Sequence, residues 1–116
     1  MRAIASIFTA ALTAVGCAAA GATTDLRALH AAGAPLLDVR TPQEWRDDGH
    51  VASSVLIPVQ EFEARLADVN KLVGGDLNKP IVVVCRSGGR AEQARKMLAA
   101  RGYTAVFNGG AWTNLR

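Results

Sequence analysis

The sequence predicts an α/β domain with a central parallel sheet of about four to five strands and helices on both faces. Short apolar segments alternate with segments of helical periodicity along the chain, and this alternation is typical of parallel sheets. The run Ile81 to Val84 is apolar throughout, so both of its faces are expected to be covered. A chain of 116 residues is long enough for one such domain.

Capping and turn residues define the elements of the first half. Asp25, or alternatively Thr24, can cap a first helix, and Gly33 can end it. Thr41 and Glu44 have the spacing of a capping box, with proline between them at the first helical position. The predicted elements are helix Leu26 to Ala32, strand Pro35 to Val39, a short helix that starts after Thr41 and breaks by Gly49, and strand Ser54 to Ile57.

Hydrophobic periodicity defines the second half. Phe62, Leu66 and Val69 repeat at helical spacing, and a second apolar helical face follows the central strand until Gly102. The predicted elements are helix Gln60 to Lys71, strand Ile81 to Val84, helix Ala91 to Arg101, strand Thr104 to Phe107, a turn at Asn108 to Gly110, and a last helical turn at Ala111 to Leu115.

The loop after the central strand is the candidate site. It consists of Cys85, Arg86, Ser87, Gly88, Gly89 and Arg90. Glycines let a backbone turn with its N–H groups inward, and the following helix adds its positive end. Two guanidinium groups flank the thiol, so the loop favours a thiolate, which is a nucleophile facing an anionic substrate. The alternative is a buried structural thiol at a strand end.

Two further charged residues are expected at the same edge of the sheet. Asp38 and Arg40 come at the end of the strand that precedes the capping box. The carboxyl ends of parallel strands meet at one edge, where α/β proteins bind their ligands. The fold therefore places Asp38 and Arg40 near Cys85.

The N-terminal residues 1–22 have the layout of an export signal. A basic start is followed by an uncharged apolar run and then by small residues. The prediction is cleavage of 1–22, which leaves a single exported domain at 23–116. Lipoprotein processing at Cys17 is the alternative. If Cys17 leaves with the signal, Cys85 is the one remaining cysteine and cannot form an internal disulfide.

Charge and composition exclude several classes of function. The formal net charge is +3, and removal of 1–22, which contain one arginine and no acid, lowers it to about +2, so no nucleic-acid partner is predicted. His30 and His50 stand far apart without metal-ligand spacing, so neither a metal nor a cofactor is predicted. The apolar run is too short for a membrane span, and a monomer is expected.

Several segments together resemble the rhodanese family of sulfurtransferases. They are Leu37 to Trp45 with Gly49 to Val51, the loop Cys85 to Arg90 with its preceding strand, and the closing segment Asn108 to Trp112. The resemblance covers nearly all of residues 24–113. With its predicted export signal, the chain resembles the single-domain periplasmic members of the phage-shock type in bacteria.

The resemblance implies a ping-pong reaction. Cys85 would attack the outer sulfur of thiosulfate, release sulfite and hold a persulfide, which cyanide or a thiol, including a protein thiol, would collect. The residues that it assigns to substrate binding are Arg86, Ser87, Gly88, Gly89 and Arg90. It assigns framework roles to Asp38, Arg40, Glu44 and His50, with Asp38 supporting the loop and Arg40 pairing with Glu44.

Two alternatives stay open at this point. Cysteine phosphatases and arsenate reductases have five residues between cysteine and arginine, whereas Ala91 stands at that position here and Arg90 comes one residue early. A non-enzymatic persulfide carrier would keep the same loop. In a domain this small the loop is expected to be shallow, with Cys85 exposed to alkylation.

Overall fold

The computed structural model of the chain describes residues 24–116, which form an α/β domain with one sheet. The strands are β1 (Leu36–Asp38), β2 (Val55–Leu56), β3 (Ile81–Cys85) and β4 (Val106–Ala111). All pairings are parallel, and the order is β2-β1-β3-β4. The predicted parallel α/β fold is confirmed. The predicted signal at 1–22 and Cys17 lie outside the described residues.

The helices flank the sheet on both sides. They are α1 (Leu26–Ala31), α2 (Pro42–Asp48), α3 (Leu66–Leu72) and α4 (Gly89–Ala100), with 3-10 turns at Val59–Glu61, Glu63–Arg65 and Trp112–Leu115. One face of the sheet packs with residues of α3 and α4, and the other packs with Trp112 and Leu115. All five residues of β3 are buried, as the unbroken apolar run predicts.

The predicted caps are present at both early helices. The side chain of Asp25 accepts a hydrogen bond from the N–H of Ala28 and caps α1. The hydroxyl of Thr41 accepts from the N–H of Glu44, while Glu44 Oε1 accepts from the N–H of Thr41 at 2.9 Å. This reciprocal capping box holds the Glu44 carboxylate beside the start of α2.

The predicted helix Gln60 to Lys71 is wrong in its first half. Two 3-10 turns occupy that stretch, with the N–H of Arg65 bonded to the carbonyl of Phe62, and α3 starts at Leu66. Phe62 is fully buried at the junction of the two turns. The tighter i→i+3 bonds direct this side chain into the core before the α-helix begins.

The last strand is longer than predicted. β4 continues through the stretch predicted to be a turn at Asn108 to Gly110, and Ala111 pairs with Cys85 after a shift in register. A Cβ atom at Gly109 would lie 3.0 Å from Val84 Cγ1, which is tighter than most Cβ contacts and would require Val84 to shift. The glycine therefore allows β4 to pack closely against β3 rather than ending the strand.

Candidate active site

Cys85 is the last residue of β3, and its side chain lies under the loop that leads into α4. The residue is 1% exposed, so the expectation of an exposed thiol is wrong. The N–H of Gly88 donates a hydrogen bond to Cys85 Sγ at 2.9 Å. Gly88 has a φ of 109° and is the N-cap of α4, which turns its N–H toward the sulfur.

Backbone N–H groups, rather than side chains, are the main stabilisers of a Cys85 thiolate. Burial raises the pKa of the Cys85 thiol. Hydrogen bonds from the N–H groups of Ala91, Gly88, Ser87 and Arg90 together lower it by more than burial raises it, so the pKa lies below its ordinary value. The glycine-rich loop predicts N–H donors at this place, and Ser87, Gly88 and Arg90 supply three of them. Ala91 was missed, because only its N–H takes part.

The residues around the sulfur differ in exposure. Arg86, Ser87 and Gly89 are exposed, whereas Gly88 and Arg90 are partly buried. No enclosed pocket covers the loop within residues 24–116. Three residues of the loop are thus exposed to solvent, although the sulfur itself is covered.

The two arginines of the loop share a carboxylate. Arg90 donates from Nη1 and Nη2 to the two oxygens of Glu44 at 2.7 and 3.0 Å. Arg86 Nη1 lies 3.7 Å from Glu44 Oε2, and its side chain is 69% exposed. The Arg90 hydrogen bond and the N–H of Thr41 hold the pKa of Glu44 at about 2.

The predicted pairing of Arg40 with Glu44 is wrong. Arg40 instead binds the Asp38 carboxylate, with its Nη2 2.8 Å from Oδ2, and contacts only the backbone carbonyl of Glu44. Both side chains of the Asp38–Arg40 pair are buried. The sequence pattern gives no means of choosing between these two carboxylates, because both lie within four residues of Arg40.

The Asp38–Arg40 pair braces the connection from β1 to α2. Arg40 Nη2 also donates to the carbonyl of Gly49 at 2.8 Å, and its guanidinium lies 4.6 Å from the centre of the Trp112 ring. The charge of Asp38 also contributes to a raised pKa at Arg90, behind the larger effect of Glu44. Its supporting role toward the loop remains a prediction.

Asn108 is a further contact of the loop that the sequence did not reveal. Its Nδ2 donates to the carbonyl of Gly88 at 3.0 Å and to Glu92 Oε1 at 3.3 Å. Its Oδ1 accepts from the N–H of Gly110 at 2.8 Å. Asn108 thus ties the left-handed Gly88 to β4. An Asn-Gly-Gly sequence is typical of a turn, so the contact of Asn108 with Gly88 was not predicted.

Other kinds of site are not found in the described part of the chain. Among residues 24–116, no group of three or more His, Cys, Asp or Glu side chains could hold a metal ion. No helix in the same range combines the length and apolar character needed to cross a membrane.

Comparison with known proteins identifies the family. Residues 22–112 match the family model of the rhodanese-like domain. Thiosulfate sulfurtransferase PspE of Escherichia coli K12 is 34% identical over 74 residues, which are 64% of this chain and 66% of PspE. Thiosulfate sulfurtransferase GlpE of Pseudomonas syringae pv. syringae is 32% identical over 82 residues, which are 71% of each protein.

A solved structure agrees with this assignment. The human single-domain sulfurtransferase TSTD1 is 31% identical, with a TM-score of 0.60 over 77% of this chain and 87% of that one. The alignment with PspE spans just under two thirds of PspE. These relatives support sulfur transfer as the general activity. The chain belongs to the rhodanese-like family.

Proposed function

We propose that this protein is a thiosulfate sulfurtransferase that carries sulfur as a persulfide on Cys85. The observation that carries the proposal is the hydrogen bond from the N–H of Gly88 to Cys85 Sγ at 2.9 Å, with further backbone N–H groups of the loop that lower the thiol pKa. A thiolate is the nucleophile that the reaction needs, and a persulfide is another sulfur anion that the same donors can stabilise.

The first half-reaction transfers one sulfur atom. The Cys85 thiolate attacks the outer sulfur of thiosulfate, a new S–S bond forms, and the S–S bond within thiosulfate breaks. Sulfite leaves with the electron pair of that bond, so the total charge of −3 is the same before and after. The N–H groups of Ser87, Gly88, Arg90 and Ala91 hold the terminal sulfur of the persulfide, and Arg86, which is largely exposed, attracts the donor.

The second half-reaction returns the enzyme to its starting state. Cyanide or a thiolate attacks the terminal sulfur, and Cys85 leaves as the thiolate. The products are thiocyanate or a new persulfide on the acceptor. Neither step requires an oxidant, a reductant or a metal. The exposed rim of the loop allows a small anion or a protein thiol to approach from solvent.

Intact-mass measurement tests the proposal directly. The folded protein should gain one sulfur atom after incubation with thiosulfate, and cyanide should remove it. Cys85→Ser should gain none, because an alkoxide does not form at neutral pH to attack sulfur. Steady-state formation of thiocyanate should then fall to the background rate in the same variant.

The same assay separates the alternatives. A persulfide that forms from a protein donor but shows no turnover with thiosulfate would indicate a sulfur carrier. A wild-type chain that gains no sulfur from thiosulfate and instead hydrolyses aryl phosphates or reduces arsenate would refute the proposal.

We also propose that the domain at 23–116 is exported as a monomer after cleavage of 1–22. The support is the apolar run and the small residues that follow the basic start. Expression of the full chain in a bacterium should give a periplasmic protein whose mass corresponds to a start near residue 23. A protein that stays in the cytosol at full length would contradict export, and a mass increase at Cys17 would indicate lipid attachment.

A further inference from the structure

The carboxylate of Glu44 lies against both arginines that are proposed to meet the sulfur donor. It binds Arg90 through both oxygens, at 2.7 and 3.0 Å, and lies 3.7 Å from Arg86. The Glu44 side chain is 19% exposed, so water shields its charge only in part. Its pKa of about 2 keeps it ionised at any pH suitable for the reaction.

Glu44 is held in place independently of any substrate. Its Oε1 accepts hydrogen bonds from the N–H and the hydroxyl of Thr41 at 2.9 and 3.2 Å, so the capping box of α2 fixes the carboxylate. Arg90 in turn interacts with the charge of Cys85. A fixed anion therefore stands at the rim of the loop where an anionic donor must arrive.

We infer that Glu44 is a specificity-determining residue that disfavours dianionic sulfur donors relative to monoanionic ones. The inference rests on the proposed function. Glu44 neutralises part of the charge of Arg86 and Arg90 and repels the second negative charge of a donor such as thiosulfate. An organic thiosulfonate carries one charge and meets a smaller repulsion.

Both donor classes can pass sulfur to Cys85 by the same step. The thiolate attacks the terminal sulfur of a thiosulfonate, the S–S bond of the donor breaks, and a sulfinate leaves with the electron pair. The charge of −2 is the same before and after. The two donors therefore differ in charge at the rim of the loop but not in the bond that is made.

The test compares thiosulfate with methanethiosulfonate in Glu44→Gln. Glutamine keeps an oxygen for the N–H of Thr41 and loses the charge. The ratio of kcat/KM for thiosulfate to kcat/KM for methanethiosulfonate should rise about fivefold at low salt, and the rise should shrink as salt screens the charges. Glu44→Ala, which removes the charge together with the cap, should change the ratio in the same direction.

One control variant isolates the effect of the charge at Glu44. Asp47→Asn removes one charge from an exposed position of the same helix and should leave the ratio unchanged.

The outcomes also distinguish this inference from the proposed function. If Glu44 only positions Arg90, its removal will lower the ratio or leave it unchanged in an active enzyme, and the inference is overturned alone. If the wild-type protein gains no sulfur from either donor, the proposed function fails and the inference fails with it.

Discussion

Replacing Asp38 with alanine should lower the free energy of unfolding by about 3–5 kcal/mol, since the change leaves a buried guanidinium without its carboxylate. The Arg40 side chain is fully buried, and it donates to Asp38 from Nε and Nη2. Both side chains are buried, so water can reach the guanidinium only if the segment between β1 and α2 rearranges. Urea denaturation of the folded domain measures the loss directly.

The double variant Asp38→Ala with Arg40→Met provides the matched control. It removes both buried charges and fills much of the arginine volume, so it should regain part of the lost stability. Asp68→Ala breaks an ion pair with Arg65 that is partly exposed, and it should cost at most about 1 kcal/mol. A cost for Asp38→Ala no larger than that of Asp68→Ala would show that the buried pair does not brace the fold.

Gly88→Ala should lower kcat/KM for sulfur transfer by about 10- to 100-fold. Its φ of 109° is one that L side chains rarely adopt, and a new Cβ atom would lie 3.5 Å from the Cα of Gly110. The loop can relieve this strain only by rotating the Gly88 peptide, which moves its N–H away from Cys85 Sγ. Thermal unfolding should show a smaller change than the activity does.

The pH titration of the thiolate, followed by its ultraviolet absorbance, measures the same change at the thiol. Loss of the N–H donor destabilises the thiolate, so the pKa of Cys85 should rise and the titration profile should shift to higher pH. Gly33→Ala introduces similar strain at a φ of 118° outside the loop and should leave the profile in place. An unshifted profile in Gly88→Ala would mean that this N–H does not stabilise the thiolate.

Local sequence patterns were sufficient for several structures that depend on neighbours in the chain, although not for the 3-10 turns before α3. The caps at Asp25 and Thr41, the buried run of β3 and the glycine-rich loop all follow from residues within a few positions of one another. The position of Cys85 at the end of β3 places the site at the carboxyl edge of the sheet.

Contacts between distant segments could not be obtained in this way. Glu44 and Arg90 are 46 positions apart, and the nearer Arg40 was the natural partner on sequence grounds. The extension of β4 through Asn108 depends on the close approach of Gly109 to β3, which is a tertiary contact. The burial of Cys85 likewise depends on how the loop folds over the sulfur.

The thiolate-stabilising groups of this loop are main-chain atoms, and this separates reactivity from recognition. The N–H groups that lower the pKa of Cys85 would remain if the side chains at 86, 87 and 90 were exchanged, provided that Gly88 kept its conformation. Those side chains, together with Glu44, form the outer surface that a donor or acceptor meets first. The loop can therefore acquire new partners by substitution at its rim while its sulfur chemistry is preserved, a division of labour suited to evolutionary change.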